Sequence, residues 1–267
     1  MIPEPGALPN PRARLAAVLR AGRETVSIRT VMQALAVDRR RATRLLSQWA
    51  AQGWLARVGP GLYAPVPLEL AGNQQVLADP WILVPQLFGQ CYVGGWTAAH
   101  HWELTEQLFN DTVIFTTRRV VKKRVVSQGA VFLLHNIPEK RLFGLKNDWH
   151  GSVRVSVSDP ERTLIDLLAM PATGGGIDHV SDCLVNYLRR KDANRDLLIS
   201  YAERFKNGAI FKRLGFLADF RFHDQFLAAA CRPRLTKGYA SLDPGLPPTH
   251  LVTAWRVWVP SHWTHKP

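Results

Sequence analysis

Along the first 66 residues apolar side chains recur at helical spacing, punctuated by turn residues. From Arg12 to Ala21, Leu15, Val18 and Leu19 share one face, and Gly22 follows as a C-terminal stop. Val26-Ser27-Ile28 reads as a short extended segment. Val31 and Leu35 mark a second, short helix that ends near Ala36-Val37. Asp38 is a good N-cap for a third helix over 39–51, in which Ala42, Leu45, Leu46, Trp49 and Ala50 keep helical spacing until Gly53. Two short apolar runs, Trp54 to Val58 and Leu62 to Ala64, then flank Gly59-Pro60-Gly61, the pattern of a hairpin. The order helix, short strand, helix, tight turn, helix, hairpin predicts a winged helix-turn-helix.

Pro65 and Pro67 mark the exit from this segment, and 67–80 reads as a linker carrying a connecting helix and loop. A different texture begins at Trp81. Tyr92 to Gly95 leads into a helix around Thr97 to Leu104. Strand-like runs follow at Thr112 to Thr117, Val120 to Val126, Ala130 to Ile137 and Val153 to Val157. Their close spacing favours antiparallel pairing. From Asp159 the pattern turns helical, with Asp159 and Pro160 as cap and first residue and with Leu164, Ile165, Leu167 and Leu168 on one stripe. Further helices are expected at 178–188, 195–205, 207–219 and 222–231. The Pro-rich, aromatic tail carries one expected strand, Val252 to Val259. The predicted class is α+β: a winged helix-turn-helix at 1–66, a linker at 67–80, and a larger mixed α+β domain at 81–267.

Composition narrows the picture. An apolar fraction of 46%, with nine tryptophans and eleven phenylalanines, supplies material for a real core. Three cysteines, Cys91, Cys183 and Cys231, lie far apart and form no CxxC pair, so buried free thiols in a reducing cytoplasm are expected. MIPEPGALPN lacks the apolar core of a signal peptide, and no apolar run nears the ~20 residues that span a bilayer. A cytoplasmic location without membrane contact is the expectation.

Charge changes the picture most. The formal net charge is +13. Residues 1–66 hold ten arginines, no lysine and three acids, a net of +7 in a quarter of the chain. Such localised excess points to a polyanion. Arg39, Arg40, Arg41 and Arg44 open the third helix. At about 100° per residue, Arg40, Arg44 and Ser47 fall opposite the apolar face, with Arg41 and Gln48 on one flank and Thr43 on the other. A helix that buries one face in its own domain can lay the other in the major groove, where arginine donates two hydrogen bonds to guanine. Arg39 lies nearer the apolar edge and suits a phosphate. Arg29 joins the same basic set, and Arg57, beside the hairpin tip, is placed for an adjacent phosphate or the minor groove. The DNA-binding set is therefore Arg29, Arg39, Arg40, Arg41, Thr43, Arg44, Ser47 and Arg57. A solvated helix face is the plainer alternative.

A second basic strip, Arg118, Arg119, Lys122, Lys123 and Arg124, surrounds Val120-Val121, which suggests a strand or hairpin. It fits either another nucleic-acid surface or a charged sheet edge that discourages aggregation. Catalytic motifs fare worse. Gly151-Ser152 followed by Asp159 and Glu161 resembles a nucleotidyltransferase signature only loosely, and capping accounts for both acids. His100-His101 with Glu103 has no second ligand cluster, so no metal or other cofactor is expected. Gly174-Gly175-Gly176 lacks the phosphate-loop lysine, and a flexible loop is expected there. No enzymatic activity is expected.

The segments LLSQWAAQGWLARVGPGLYAPVP, YVGGWTAAHHWELTEQ, VIFTTRR, VSDPERTLIDLLAMP, KRLGFLADF and SLDPGLP, taken in this order, resemble the AbiEi-type antitoxins. These are the repressor half of type IV toxin–antitoxin and abortive-infection systems. The match runs from about Leu45 to Leu246. The resemblance implies a repressor that binds inverted repeats at its own promoter. It also implies a C-terminal domain that neutralises a nucleotidyltransferase-like toxin without needing a stable complex. The family's DNA-contacting basic residues map onto Arg39, Arg40, Arg41 and Arg44 by location alone. Two alternatives stand beside it: a transcription factor with a ligand-sensing C-terminal domain, and a nucleic-acid-modifying enzyme with a winged-helix targeting domain.

Overall fold

The computed structural model describes residues 10–22, 25–66 and 79–264. The Pro-rich start, Arg23, Glu24, most of the expected linker and the last three residues lie outside them. The chain is a mixed α+β protein with several sheets.

The first elements are α1 (Pro11–Gly22), β1 (Val26–Ser27), α2 (Ile28–Leu35), α3 (Arg39–Ala51), β2 (Leu55–Gly59) and β3 (Leu62–Pro65). The strands form one antiparallel sheet in the order β1-β3-β2. Ser27 begins α2 with a reciprocal cap, its hydroxyl accepting from the Thr30 amide while Thr30 accepts from the Ser27 amide. Asp38 caps α3, its carboxylate accepting from the Arg41 amide at 2.7 Å. Between the two helices Ala36 takes the left-handed conformation at φ 51°, which reverses the chain in three residues. Val18, Val31, Leu35, Ala42, Leu46, Trp49, Leu55 and Tyr63 fill the space enclosed.

The body is built on a six-stranded sheet in the order β6-β7-β5-β4-β9-β8. Its strands are β4 (Cys91–Val93), β5 (Asp111–Thr116), β6 (Arg124–Ser127), β7 (Ala130–Asn136), β8 (Leu145–His150) and β9 (Val153–Ser158). Two short helices, α4 (Val84–Phe88) and α5 (Gly95–His101), flank it. Two strands not expected, β4 and β8, pair antiparallel with β5 and β9, and β4 also pairs with β9 in parallel. Of the expected strands only β6 and β7 pair antiparallel, whereas β5 pairs with β7 in parallel. The cause is a hairpin. Gln128 and Gly129 both have positive φ, and this tight turn sends β7 back between β5 and the edge strand β6. The expected strand over 120–126 is shorter: residues 117–123 form a loop and pairing begins at Arg124.

Helices α6 (Pro160–Ala169), α7 (Ile177–Leu188), α8 (Arg195–Phe205), α9 (Gly208–Leu217) and α10 (Gln225–Cys231) form the rest of the body. The stripe expected on α6 is too narrow a description, since every residue from Pro160 to Leu168 is buried. The three glycines at 174–176 make a packed turn instead of a flexible loop. A Cβ on Gly174 would meet Val180 at 2.7 Å. The tail holds three short strands, β10 (Ala240–Ser241), β11 (His250–Val252) and β12 (Val257–Val259), where one long strand was expected. Residues Thr253 to Arg256 turn between the last two, and Arg256 has φ 53°. That turn delivers Trp255 onto α9, where a Cβ on Gly215 would stand 2.1 Å from the indole. The indole is fixed by its hydrogen bond to Asp219 at 2.9 Å. Gly215→Ala should therefore lower stability by about 1–3 kcal/mol through overpacking, against a gain of about 1 kcal/mol in helix propensity. A lowered urea midpoint is expected, and a raised one would mean that Trp255 gives way freely.

Candidate nucleic-acid interface

The caps and the core dictate which face of α3 is free. Ala42, Leu46 and Trp49 are buried, and Arg39, Arg40, Arg41, Thr43, Arg44, Ser47 and Gln48 are exposed. None of these arginines lies within 4.0 Å of a carboxylate among the described residues. Thr43 turns its hydroxyl back to donate to the Arg39 carbonyl at 2.8 Å, leaving only acceptor capacity for a ligand. Arg29 is exposed on the first turn of α2. The helix face is thus a row of unpaired cations backed by a rigid apolar stripe.

Arg57 is exposed on β2, and its Nε reaches the Gly59 carbonyl at 3.4 Å. The hairpin that carries it is less free than a projecting wing. One face closes the core beneath α3 through Leu55 and Tyr63. The other buries Val58, Leu62 and Ala64 against Ile82 and Leu83 of the body. Ser127 donates its hydroxyl to the Val58 carbonyl at 2.7 Å, and Gln128 donates its side-chain amide to the Arg57 carbonyl at 3.1 Å. Ser127 and Gln128 matter because they set where the hairpin sits on the body. A single sequence has no signal for that pairing, which joins segments about seventy residues apart.

The second basic strip lies on the loop before β6 and on that strand's first residue, with Arg118, Arg119, Lys122, Lys123 and Arg124 all exposed. The structure therefore gathers two groups of cations, one on α3 and one on this loop, with Arg57 between their supports.

The acids that suggested chemistry are held elsewhere. Asp159 caps α6 through the Arg162 amide at 2.8 Å and accepts from the Tyr201 hydroxyl at 3.0 Å. Glu161 accepts from the Tyr187 hydroxyl at 2.7 Å. Asp166 pairs with Arg162 at 3.0 Å and accepts from the Tyr92 hydroxyl at 3.0 Å. Burial pushes the Asp166 carboxyl up to about 6 despite the guanidinium beside it. Gly151-Ser152 is the turn between β8 and β9. His101 lies 3.7 Å from Asp148, and burial holds its imidazole below the usual range. Among the described residues no three His, Cys, Asp or Glu side chains are grouped to hold a metal ion. The cysteines are free, and burial raises each thiol to about 12. Among the described residues no helix is long and apolar enough to cross a membrane.

No protein-family model matches this chain, and no curated protein matches it. A crystal structure of the RV2827C protein from Mycobacterium tuberculosis is similar over 94% of this chain and 92% of that one. The TM-score is 0.62 at 16% sequence identity, a likeness of fold.

Proposed function

We propose that this chain binds duplex DNA through α3 and represses its own promoter. Its N-terminal elements read as a winged helix-turn-helix, with α2 and α3 around the Ala36 turn and β2–β3 as the wing. The observation that carries the reading is the exposed, unpaired arginine face of α3, set opposite its buried Ala42-Leu46-Trp49 stripe. An arginine without a carboxylate partner loses no ion pair when it meets a phosphate or a guanine edge. The resemblance to AbiEi-type antitoxins supports the remainder. On that reading the protein is a cytoplasmic, non-enzymatic antitoxin without a cofactor. It binds inverted repeats as operator, and its C-terminal domain neutralises a nucleotidyltransferase-like toxin.

The test is a titration of Arg40→Ala and Arg44→Ala on the promoter duplex and on a scrambled duplex. Each substitution should cost about 1–3 kcal/mol on the promoter and relax preference at one base step. Equal losses on both duplexes would reduce these arginines to phosphate contacts.

One cleft favours the alternative of a ligand-sensing transcription factor. It measures about 300 Å³, and Leu188, Arg189, Arg195, Arg221, Phe222 and Asp224 are among the residues that line it. A neighbouring gene for a nucleotidyltransferase-like protein favours the antitoxin, and its absence favours the sensor. A nucleic-acid-modifying enzyme would draw on the acids of α6, whose carboxylates already bind Tyr201, Tyr187 and Arg162.

A further inference from the structure

We propose that the basic loop 117–123, with Arg124 at its end, is a second grip on the same DNA, binding backbone phosphates beside the site that α3 reads; this rests on the reading of α3 above. The first ground is charge. No acidic residue occurs between Asp111 and Glu139, while five cations fall between Arg118 and Arg124. Among the described residues none of the five has a carboxylate within 4.0 Å. The helical half differs, since Arg162, Arg190, Arg195, Arg221, Arg232 and Arg234 each face an Asp or Glu. Exposed cations without a carboxylate also occur singly or in pairs elsewhere, as at Arg189 and Lys191, but α3 and this loop each carry a run of four or five with no acid among them.

The second ground is position. Leu87 packs on the hairpin at Gly59, where a Cβ would stand 2.6 Å from its methyl group. The carbonyl of the same Leu87 accepts from the Arg118 guanidinium at 3.4 Å. At the far end of β6, Ser127 and Gln128 hold the Val58 and Arg57 carbonyls. One end of the segment from Arg118 to Gln128 rests directly on the hairpin and the other reaches it through Leu87, and Arg124 lies only about 10 Å along the strand from Ser127. The basic loop is thus anchored beside the hairpin whose other face closes the core beneath α3.

The third ground is order. Asn136 donates its side-chain amide to the Arg118 carbonyl at 2.8 Å, and the Leu134 amide donates to the Lys123 carbonyl at 2.7 Å. A loop pinned at both ends loses less conformational freedom on binding. Protection of a sheet edge explains it less well. Four of the five charges precede the edge strand, and the strand itself leaves Val126 at 59% exposed. Duplex DNA is the fitting partner because the loop is anchored beside the hairpin that follows α3, a helix suited to a major groove, which A-form RNA makes too deep and narrow for side chains.

The test uses the full chain with Arg119→Gln, Lys122→Gln, Lys123→Gln and Arg124→Gln combined, keeping Arg118 on its support. Probes are a duplex from immediately upstream of the chain's own coding sequence, a scrambled duplex, and single-stranded RNA. Both duplexes should lose affinity alike, by at least ~10-fold at low salt, with the slope of log K against log salt shallower by about 3–4. Preference for the upstream duplex should persist, while Arg40→Ala with Arg44→Ala should lose it. A variant carrying Arg119→Lys and Arg124→Lys should bind as the parent does, and a matching melting curve for the glutamine variant establishes its fold. Parental affinity and slope in the glutamine variant, with binding lost in the α3 variant, would overturn this inference alone. Indifference to the α3 substitutions would instead overturn the reading of α3. A loss confined to RNA would also overturn the proposal.

Discussion

Arg162→Ala should destabilise the body by about 3–5 kcal/mol, because it strands a buried carboxylate. Arg162 is fully buried on the first turn of α6. Its guanidinium lies 4.4 Å from the Phe143 ring centroid and 4.8 Å from that of Phe205. One amino group donates to the Tyr92 hydroxyl at 2.6 Å and faces Asp166 at 3.0 Å. Tyr92 belongs to β4, so the network ties the sheet to the helical half. With the arginine gone, Asp166 keeps only the tyrosine, and its carboxyl, already raised to about 6, must either hold a charge in a dry core or take up a proton. Arg162→Met, which keeps the bulk, should lose nearly as much, separating charge from packing. The pair Arg162→Met with Asp166→Leu should recover much of the loss, since replacing both ions by apolar groups is often near neutral. Urea midpoints of the three variants provide the measurement. A parental midpoint for Arg162→Met would mean that the ion pair adds nothing to the joint.

The recognition-helix candidate was legible because its signals are local. Asp38 caps, the 3.6-residue period places Ala42, Leu46 and Trp49 inward, and the arginines fall on the remaining arc. The hairpin was legible from Gly59-Pro60-Gly61, while its burial on a second face was not, since Ile82 and Leu83 are remote in sequence. Strand β8 carries no sequence signal, for a physical reason. It is an edge strand, LKNDWH, with polar side chains and no buried residue, so it carries no apolar alternation. The parallel pairing of β5 with β7 depends on where β6 turns, which the whole sheet decides. The burial of Arg162 was equally hidden. Its spacing from Asp166 marks a helical ion pair anywhere, and only the aromatic rings from distant segments reveal that this one is internal. The basic strip was visible as charge, but its contact with the hairpin runs through Leu87, Ser127 and Gln128, residues without distinguishing chemistry.

Combining Arg39→Ala, Arg40→Ala, Arg41→Ala and Arg44→Ala should abolish repression and leave antitoxicity intact. The four side chains are exposed and unpaired, so their removal takes nothing from the Ala42-Leu46-Trp49 stripe. Asp38 still caps the helix, because its partner is the backbone amide of Arg41. Alanine is the best helix former, and exposed substitutions of this kind usually change stability by no more than about 0.5 kcal/mol each. The effect on DNA should be far larger. Each lost phosphate contact takes about 0.9 from the salt slope, and each lost base contact costs about 1–3 kcal/mol, so operator occupancy should collapse. Neutralisation of the toxin, on the proposed division of labour, belongs to the body and needs none of these arginines. The variant, supplied from an independent promoter, should rescue growth while a reporter behind the native promoter stays fully active. Both readouts belong on the same strain, with the amount of folded protein measured beside them. Loss of rescue at a normal protein level would mean that neutralisation runs through DNA binding, and the separation of the two functions would fall.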